Sequence, residues 1–542
     1  MRKQTPVFFI LLSIIALSAY AQDPYQSFRK GWLEKAELAK PLLEYEKVKP
    51  KSLVRVIEDP TAYQGFSSQL MMPIETFFNT PLKEIKDEII IDFGDHMVGE
   101  FQFIISSTIA AHAPVQLKFT FGEVPSEMAI PFSDYQGRLS SAWLQEEWIT
   151  LHYMPDTVRL PRRYAFRYVK IEVLGSAENM DFIIKDIHCR NQSAAGADKL
   201  KTNFEGDELM RSIERVSIKT LRDCMQTVFE DGPKRDRRTW IGDFKLQALA
   251  NYYSFQKNDL VKRGLYLHAG TASENGLVYG TLFEKPNPHP EEHFPIDYCL
   301  LFNTVLVDYY FATNDIETTL DLWVILKEQI KVVEPYITPE GLFEPSDDWW
   351  YFVDWNRSLS KETSLQGILI YSLEETWRLA KALQKESEVA HLPQLIKQLK
   401  AGAKKHLFSK ERGLFVSGET DQVSTASQAW MILSNTVSAK EGRKLFQQLL
   451  KQDNITKPVS PYMFHYVVEA MIKCGMMDDA LQLMTEYWGG MVEKGADTFW
   501  EVYDPEDENL SPYGSPIMNS YCHAWSCTPV YFLRKYGDKL LK

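Results

Sequence analysis

The sequence predicts a multidomain α and β protein, an N-terminal antiparallel β-sandwich followed by an (α/α)6 toroid. Three observations predict it. From about Glu88 to Val173, apolar and polar residues alternate, as in Val115-Gln116-Leu117-Lys118-Phe119 and Tyr168-Val169-Lys170-Ile171, with Gly94-Asp95, Gly122 and Gly137 between the runs. Beyond about Asn203 the period becomes helical and stays so to the C-terminus. The connections between helical segments then alternate, long and rich in aromatics, Gly, Pro or acid at one junction, a few residues at the next. In an up-down succession, alternate junctions share one end, so the long loops gather on one face of six helical hairpins closed into a ring. No fixed repeat or recurring consensus supports a solenoid instead.

Taken in order, the chain opens with Met1-Arg2-Lys3, an apolar run to about Leu17 and Ser18-Ala19-Tyr20-Ala21. This reads as a signal peptide over 1–21, cleaved after Ala21, which implies a secreted or periplasmic protein. Residues 22–84 form an N-terminal extension mixing a short helix with extended segments. The β-sandwich is expected over 85–195 and the catalytic (α/α)6 domain over 200–540. Its helices are expected at about 205–229, 240–257, 258–273, 295–313, 315–334, 361–385, 389–407, 423–436, 438–452, 460–474, 476–488 and 516–535.

A chain of 542 residues, 45% hydrophobic and 13% aromatic, has ample material for two or three cores. A formal charge of -13 argues against nucleic acid or anionic membrane as partner, because both demand a basic footprint. No stretch after the leader reaches the roughly 20 apolar residues of a membrane span. Six cysteines are scattered without a CxxC pair, and His289 and His293 lie on a Pro-containing loop rather than a helix, so neither metal nor cofactor is expected.

The chemistry concentrates in three long loops. The first holds Glu230, Asp231, Asp236, Trp240 and Asp243, the third Glu344, Asp347, Asp348, Trp349, Trp350, Asp354 and Trp355, and the last Asp497, Trp500, Glu501, Tyr503 and Asp504. Sugars present hydroxyl edges and apolar C–H faces, so carboxylates beside indoles suit them, and cleaving a glycosidic bond needs two carboxyl groups. The expected partner is therefore an oligosaccharide or glycoside. A lectin needs the same aromatics but has no use for so many converging acids. A polysaccharide lyase would need a Tyr or His base beside a uronate-binding Arg. No GxSxG elbow, P-loop or dinucleotide fingerprint is present.

The string Asp231-Gly-Pro-Lys-Arg-Asp-Arg-Arg-Thr-Trp-Ile-Gly-Asp243 resembles the signature of the α-L-rhamnosidases of glycoside hydrolase family 78, in its DGxKRDRxxWxGD form. Asp497-Thr498-Phe499-Trp500-Glu501, Tyr521-Cys522-His523-Ala524 and Val353-Asp354-Trp355, with Val where the family has Gly, are similar to further elements of that family, as are Ile91-Asp92-Phe93-Gly94 and Arg162 to Val169 in the sandwich. The resemblance covers about 85–535. It implies a six-hairpin glycosidase that releases terminal α-L-rhamnose with inversion, with Asp236 as general acid and Glu501 as general base. It further implies that Asp231 and Asp243 hold sugar hydroxyls, that Trp240 and Trp355 wall the ring and that His523 assists, with Arg235, Asp354 and Trp500 also among the substrate-binding residues. Many family members carry Glu as the acid, at this position or where Arg237 stands here. A different terminal sugar, or a glycan-binding protein that has lost its acid, are the alternatives. The cations Lys234, Arg235, Arg237 and Arg238 suggest an acidic sugar in a neighbouring subsite.

Overall fold

The computed structural model describes residues 25–85, 88–109, 114–197, 206–291 and 295–540. The predicted signal peptide lies outside the described residues, as does His293. No helix among the described residues is long and apolar enough to cross a membrane.

Helix α1 (Gln26–Leu38) buries Trp32 and Ala36 in the core of the helical domain. The Arg263 guanidinium fixes it there, donating to the Ala36 carbonyl, to the Thr227 carbonyl at 2.8 Å and to Glu284 at 2.8 Å. The eight strands that follow are β1 (Glu44–Val48), β2 (Ser52–Glu58), β3 (Phe66–Pro73), β4 (Ile89–Ser107), β5 (Val115–Gly122), β6 (Glu146–Leu151), β7 (Asp156–Gly175) and β8 (Phe182–Ser193). All pairings are antiparallel. The sheet therefore starts ahead of the expected residue 85, since β1 to β3 belong to it, and the expected extension divides between the two domains.

Two long strands organise this sheet. β4 pairs with β2 through Ile90 to Asp92 and with β8 through Gly99 to Ser107, and its register with β7 shifts between Asp92 and Met97. Such irregularities bend a strand. The sheet folds on itself, so that Phe101 and Phe103 of β4 meet Phe119 and Phe121 of β5 with ring centroids 5.2 to 5.8 Å apart, although the two strands are not hydrogen-bonded neighbours. This closes an aromatic core between the faces.

Twelve helices follow among the described residues: α2 (Glu208–Cys224), α3 (Ile241–Tyr252), α4 (Asn258–Gly270), α5 (Ile296–Thr313), α6 (Ile316–Val333), α7 (Glu362–Ala382), α8 (Leu392–His406), α9 (Thr425–Leu433), α10 (Ala439–Leu449), α11 (Pro461–Lys473), α12 (Met477–Glu493) and α13 (Pro529–Leu540). The odd members from α3 onward pack side by side as an inner ring, α13 closing against α3. Burial separates the two rings. Inner α9 is buried all round from Ala426 to Leu433, whereas outer α10 buries only Gly442, Leu445, Phe446 and Leu449, a single stripe.

The last expected helix differs. Residues 516–526 hold only two single 3-10 turns, Pro516–Met518 and Ala524–Ser526, joined by non-helical chain, and α13 starts only at Pro529. The segment's backbone is spent on other loops: Ala524 N–H donates to the Asp231 carbonyl at 2.7 Å, His523 N–H to Phe499 at 2.9 Å, and the Ser520 carbonyl accepts from Glu501 N–H at 3.0 Å. These bonds replace the intrahelical ladder and stitch the last loop to the first.

Candidate active site

The first loop, between α2 and α3, turns tightly. Asp231 N–H donates to the Arg238 carbonyl at 2.9 Å, and Arg238 N–H returns to the Asp231 carboxylate at 3.0 Å. Arg237 has a φ of 62°, left-handed backbone that sends its side chain away from Asp236 to the carbonyls of Pro233 (2.7 Å) and Arg163 (3.0 Å). Arg237 thus does not stand in for an acid. The other three cations are also engaged. Lys234 reaches Glu127 at 2.5 Å and the Asn519 carbonyl at 2.7 Å, Arg238 pairs with Glu291, and Arg235 lies between the two candidate catalytic acids. The acidic subsite suggested by these four cations is not built from them.

Arg235 is buried, with its guanidinium 4.1 Å from the Tyr513 ring centre. It donates through Nη2 to Glu501 Oε2 at 2.6 Å and through Nη1 to Asp236 Oδ1 at 3.3 Å. Glu501 is held further by the Tyr513 hydroxyl on Oε1 and by Ser520 N–H on Oε2 at 3.2 Å, while the Trp525 indole donates to its carbonyl at 3.0 Å. Burial by itself would raise the Glu501 carboxyl. The charges of Arg235 and His523 and the two hydrogen bonds outweigh it and hold the group below the usual glutamate value. A carboxylate has about four acceptor sites, and these three donors leave one open.

Asp236 is placed differently, its side chain 17% exposed against 2% for Glu501. Asp231 is buried, and desolvation together with the charges of Asp236 and Asp243 pushes its carboxyl well above the usual range, His523 opposing. Asp243 is raised too, by burial first. His523 Nε2 lies 3.1 Å from Asp243 Oδ1, within ion-pair range but off the hydrogen-bonding line, and its Nδ1 lies 4.0 Å from Glu501. Burial disfavours the imidazolium, yet Glu501, Asp243 and Asp231 surround it and push its pKa up to about 9. One cation on each side of Glu501 keeps it ionised.

Of the expected ring walls, Trp355 is half-buried, edge-on to Phe352 (5.0 Å) and Tyr513 (5.7 Å), and Trp240 is half-buried, edge-on to Tyr298 at 6.3 Å. Two residues expected at the sugar are occupied elsewhere. Trp500 is 2% exposed and stacks on Tyr63 with centroids 4.0 Å apart, so it packs towards the β-domain, opposite in direction to its neighbour Glu501. Asp354 is buried and accepts from Val459 N–H and Ser460 N–H at 3.0 Å each, from the Ser460 hydroxyl and from Asn356 N–H at 3.3 Å. Its carboxylate orders the start of α11 instead of meeting a sugar. Val353, just before it, has a φ of 54°. That conformation favours glycine, the residue the related motif carries there, and here the Asp297 carboxylate holds the strained amide at 2.9 Å.

Residues of the β-domain also support the site. Glu123 accepts from Tyr521 N–H at 2.8 Å and faces Lys234 at 3.4 Å, and His96 bridges Glu123 (3.0 Å) and Asp223 (2.7 Å). Burial disfavours the charged form of His96, but the neighbouring Cys522 sulfur and the hydrogen-bonded Asp223 and Glu123 carboxylates outweigh it and raise its pKa to about 10. His96, Asp223 and Cys522 are the one trio of potential metal donors that converges among the described residues, but the Lys219 ammonium already sits on Asp223. Arg163 forks onto Glu230 at 3.0 and 2.7 Å, and Arg167 joins Asp92 to Asp497. All six cysteines are free and buried.

The model of the glycosyl hydrolase family 78 α-rhamnosidase N-terminal domain matches residues 50–191, and that of the bacterial α-L-rhamnosidase six-hairpin glycosidase domain matches 201–536. The chain belongs to glycoside hydrolase family 78. It is accordingly a glycoside hydrolase of the α-L-rhamnosidase kind. The structure of a rhamnosidase from Klebsiella oxytoca with rhamnose bound is similar at a TM-score of 0.90 and 39% identity, over 94% of this chain and 99% of that one. The family 78 rhamnosidase of Bacillus sp. GL1 shares the fold at 21% identity and a TM-score of 0.72, over 86% of this chain and 49% of that one. The Streptomyces avermitilis α-L-rhamnosidase complexed with L-rhamnose does so at 16% and 0.65, over 92% and 44%. Among curated protein sequences no match is found. Tyr513, Ser520 and Lys234 are the supports of this family 78 site that sequence reasoning missed or misread. Tyr513 and Ser520 sit in no motif, and Lys234 was read as facing substrate.

Proposed function

We propose that this family 78 enzyme hydrolyses terminal α-L-rhamnosides of glycans outside the cytoplasm, with inversion, Glu501 acting as general base and Asp236 as general acid. The observation that carries the mechanism is the single Arg235 guanidinium shared by a buried, ionised Glu501 and a partly exposed Asp236. Rhamnose as the sugar is supported by the bound sugar of the Klebsiella oxytoca rhamnosidase, similar over nearly the whole chain. In the reaction, water gives a proton to the open acceptor site of Glu501 while its oxygen attacks the anomeric carbon. The bond to the leaving oxygen breaks, and that oxygen takes the proton of Asp236. Asp231 and Asp243, with carboxyls raised by burial, suit hydrogen bonding to sugar hydroxyls, and Trp240 and Trp355 offer apolar faces to the ring. The shared guanidinium sets a ceiling of about 8 Å on the separation of the two bonded carboxylate oxygens, which the spacings of inverting and retaining enzymes both satisfy, so the stereochemistry of the product decides between them.

The test is hydrolysis of 4-nitrophenyl α-L-rhamnopyranoside followed by proton NMR from the first seconds. β-Rhamnose appearing first supports inversion. α-Rhamnose first means retention, and no rhamnose from any rhamnoside overturns the substrate.

A further inference from the structure

The third long loop carries more aromatic and acidic residues than the site uses. Asp354 and Trp355 lie at its inner end, while Asp347, Trp349 and Tyr351 line a separate cavity of about 450 Å³, together with Glu344 and Glu362. This cavity sits on the face of the toroid that bears the active site, because it is bounded by the N-terminal end of α7 and by Leu407 just beyond the end of α8. The same loop joins it to the reaction centre. Ile296 N–H donates to the Trp350 carbonyl at 2.9 Å, Phe352 stacks on Trp525 at 5.5 Å, and Trp525 holds the Glu501 carbonyl.

The cavity combines an indole, a hydrogen-bonded amide and acidic rim residues. Tyr336 packs against Trp349 with the rings tilted by 49° and their centroids 4.6 Å apart, which restrains the indole. The floor is locked by the buried Gln366 amide, which accepts from Phe343 N–H at 2.8 Å and donates to the carbonyls of Gly341 (2.9 Å) and Leu399 (3.1 Å). Glu344, Asp347 and Glu362 are exposed at the rim. They do not converge closely enough to hold a cation. Three carboxylates with no lining Lys or Arg repel an acidic sugar and accept hydroxyl hydrogen bonds from a neutral one.

We propose that this cavity binds a neutral sugar unit of the glycan that carries the rhamnose, as an accessory subsite with Trp349 as its stacking platform. The proposal rests on the glycosidase reading above. It is tested with Trp349→Ala against two substrates, 4-nitrophenyl α-L-rhamnopyranoside and neutral gluco- or galacto-oligosaccharides of two to four units ending in α-L-rhamnose. The expected result is a fall of about tenfold in kcat/KM on the oligosaccharides, carried by KM, with the nitrophenyl rhamnoside unchanged within about twofold. Equal behaviour on both substrates, whether both fall or neither does, overturns the subsite. Should the wild-type enzyme cleave no rhamnoside, the glycosidase reading fails by itself. Calorimetric titration of the same oligosaccharides lacking rhamnose then decides the cavity, which stands if Trp349→Ala abolishes their binding and falls if wild type and variant do not differ.

Discussion

Asp236 and Glu501 share Arg235, yet the loops that carry them are built in opposite ways. Glu501 is buried, accepts three hydrogen bonds and has cations on two sides. Asp236 is partly exposed and pairs with Arg235 at 3.3 Å. A base that must be ionised before substrate arrives is best fixed in advance, since every donor that holds it also favours its charge. A proton donor has the contrary need. It must reach a leaving oxygen whose position depends on the aglycone, and recover its proton from solvent after each turnover. The contrast between a fixed base and an accessible acid follows from these two tasks.

The strongest way to break the contrast is to remove each carboxylate separately. Glu501→Gln is expected to lower kcat by about 10³ or more on every rhamnoside, because no other group activates the water. Asp236→Asn is expected to cost about 10²–10⁴ on natural glycosides and markedly less on 4-nitrophenyl rhamnoside, whose phenolate leaves without a proton. Rate measurements over a series of leaving groups check both. If Asp231→Asn shows the leaving-group dependence and Asp236→Asn does not, the proton donor is the more deeply buried Asp231, whose raised carboxyl also suits that role.

Next in size is the support from the β-domain. Lys234 ties Glu127 to the Asn519 carbonyl, and Asn519 precedes the amide that binds Glu501. Lys234→Met strands buried acceptors, and losing one member of such a group costs about 3–5 kcal/mol. Chemical denaturation should show that loss. In protein that remains folded, kcat should fall by about tenfold with KM little changed, as expected when a group is misplaced rather than a binding contact removed. An unchanged kcat would show that the base loop holds its shape without the β-domain.

These particulars separate what was legible in the sequence from what was not. The first loop was legible because acids, cations and an indole packed into one short turn have no folding rationale. The ring of hairpins was legible because long and short junctions alternate along the chain, whereas the division into inner helices buried all round and outer helices buried on one stripe shows only in the structure. Direction was not. Trp500 and Glu501 are adjacent, and nothing in their identities says that one side chain turns to Tyr63 while the other faces Arg235. Asp354 has the chemistry of a sugar ligand, and only its backbone partners at 459 and 460 reveal another task. The stretch 516–526 reads as helical from its closely spaced apolar residues, but these are buried around two short 3-10 turns and a non-helical link whose hydrogen bonds run to distant loops. Long-range pairing of this kind leaves no local period to read.

A smaller effect sharpens the account of the base. The Tyr513 hydroxyl lowers the Glu501 carboxyl, so Tyr513→Phe should move the acidic limb of the kcat/KM profile upward by about one pH unit or less, leaving the neutral plateau within a few-fold. A pH-rate profile measures this directly. An unmoved limb would mean that Arg235, His523 and the Ser520 amide set the charge of Glu501 without the tyrosine.

Smallest in its consequence for turnover is the stability in alkali, which compares the site with its support. His523 in the site and His96 beneath it are both buried imidazolium ions with folded pKa values raised to about 9 and about 10, above the ordinary 6.5. A group whose pKa is raised on folding contributes stability that is complete below its unfolded value and disappears as pH climbs through the folded one. The contribution of the two histidines to Tm should therefore be constant below about pH 6.5 and decline progressively between about pH 7 and 10. His96→Gln should remove the upper part of that decline, since its neutral side chain has no proton to lose, while lowering Tm at neutral pH by leaving Asp223 and Glu123 one cation short. His523→Gln should remove the lower part. A decline of the same shape in both variants would place the alkaline sensitivity elsewhere, in the buried lysines Lys219 and Lys234 that share the same carboxylates.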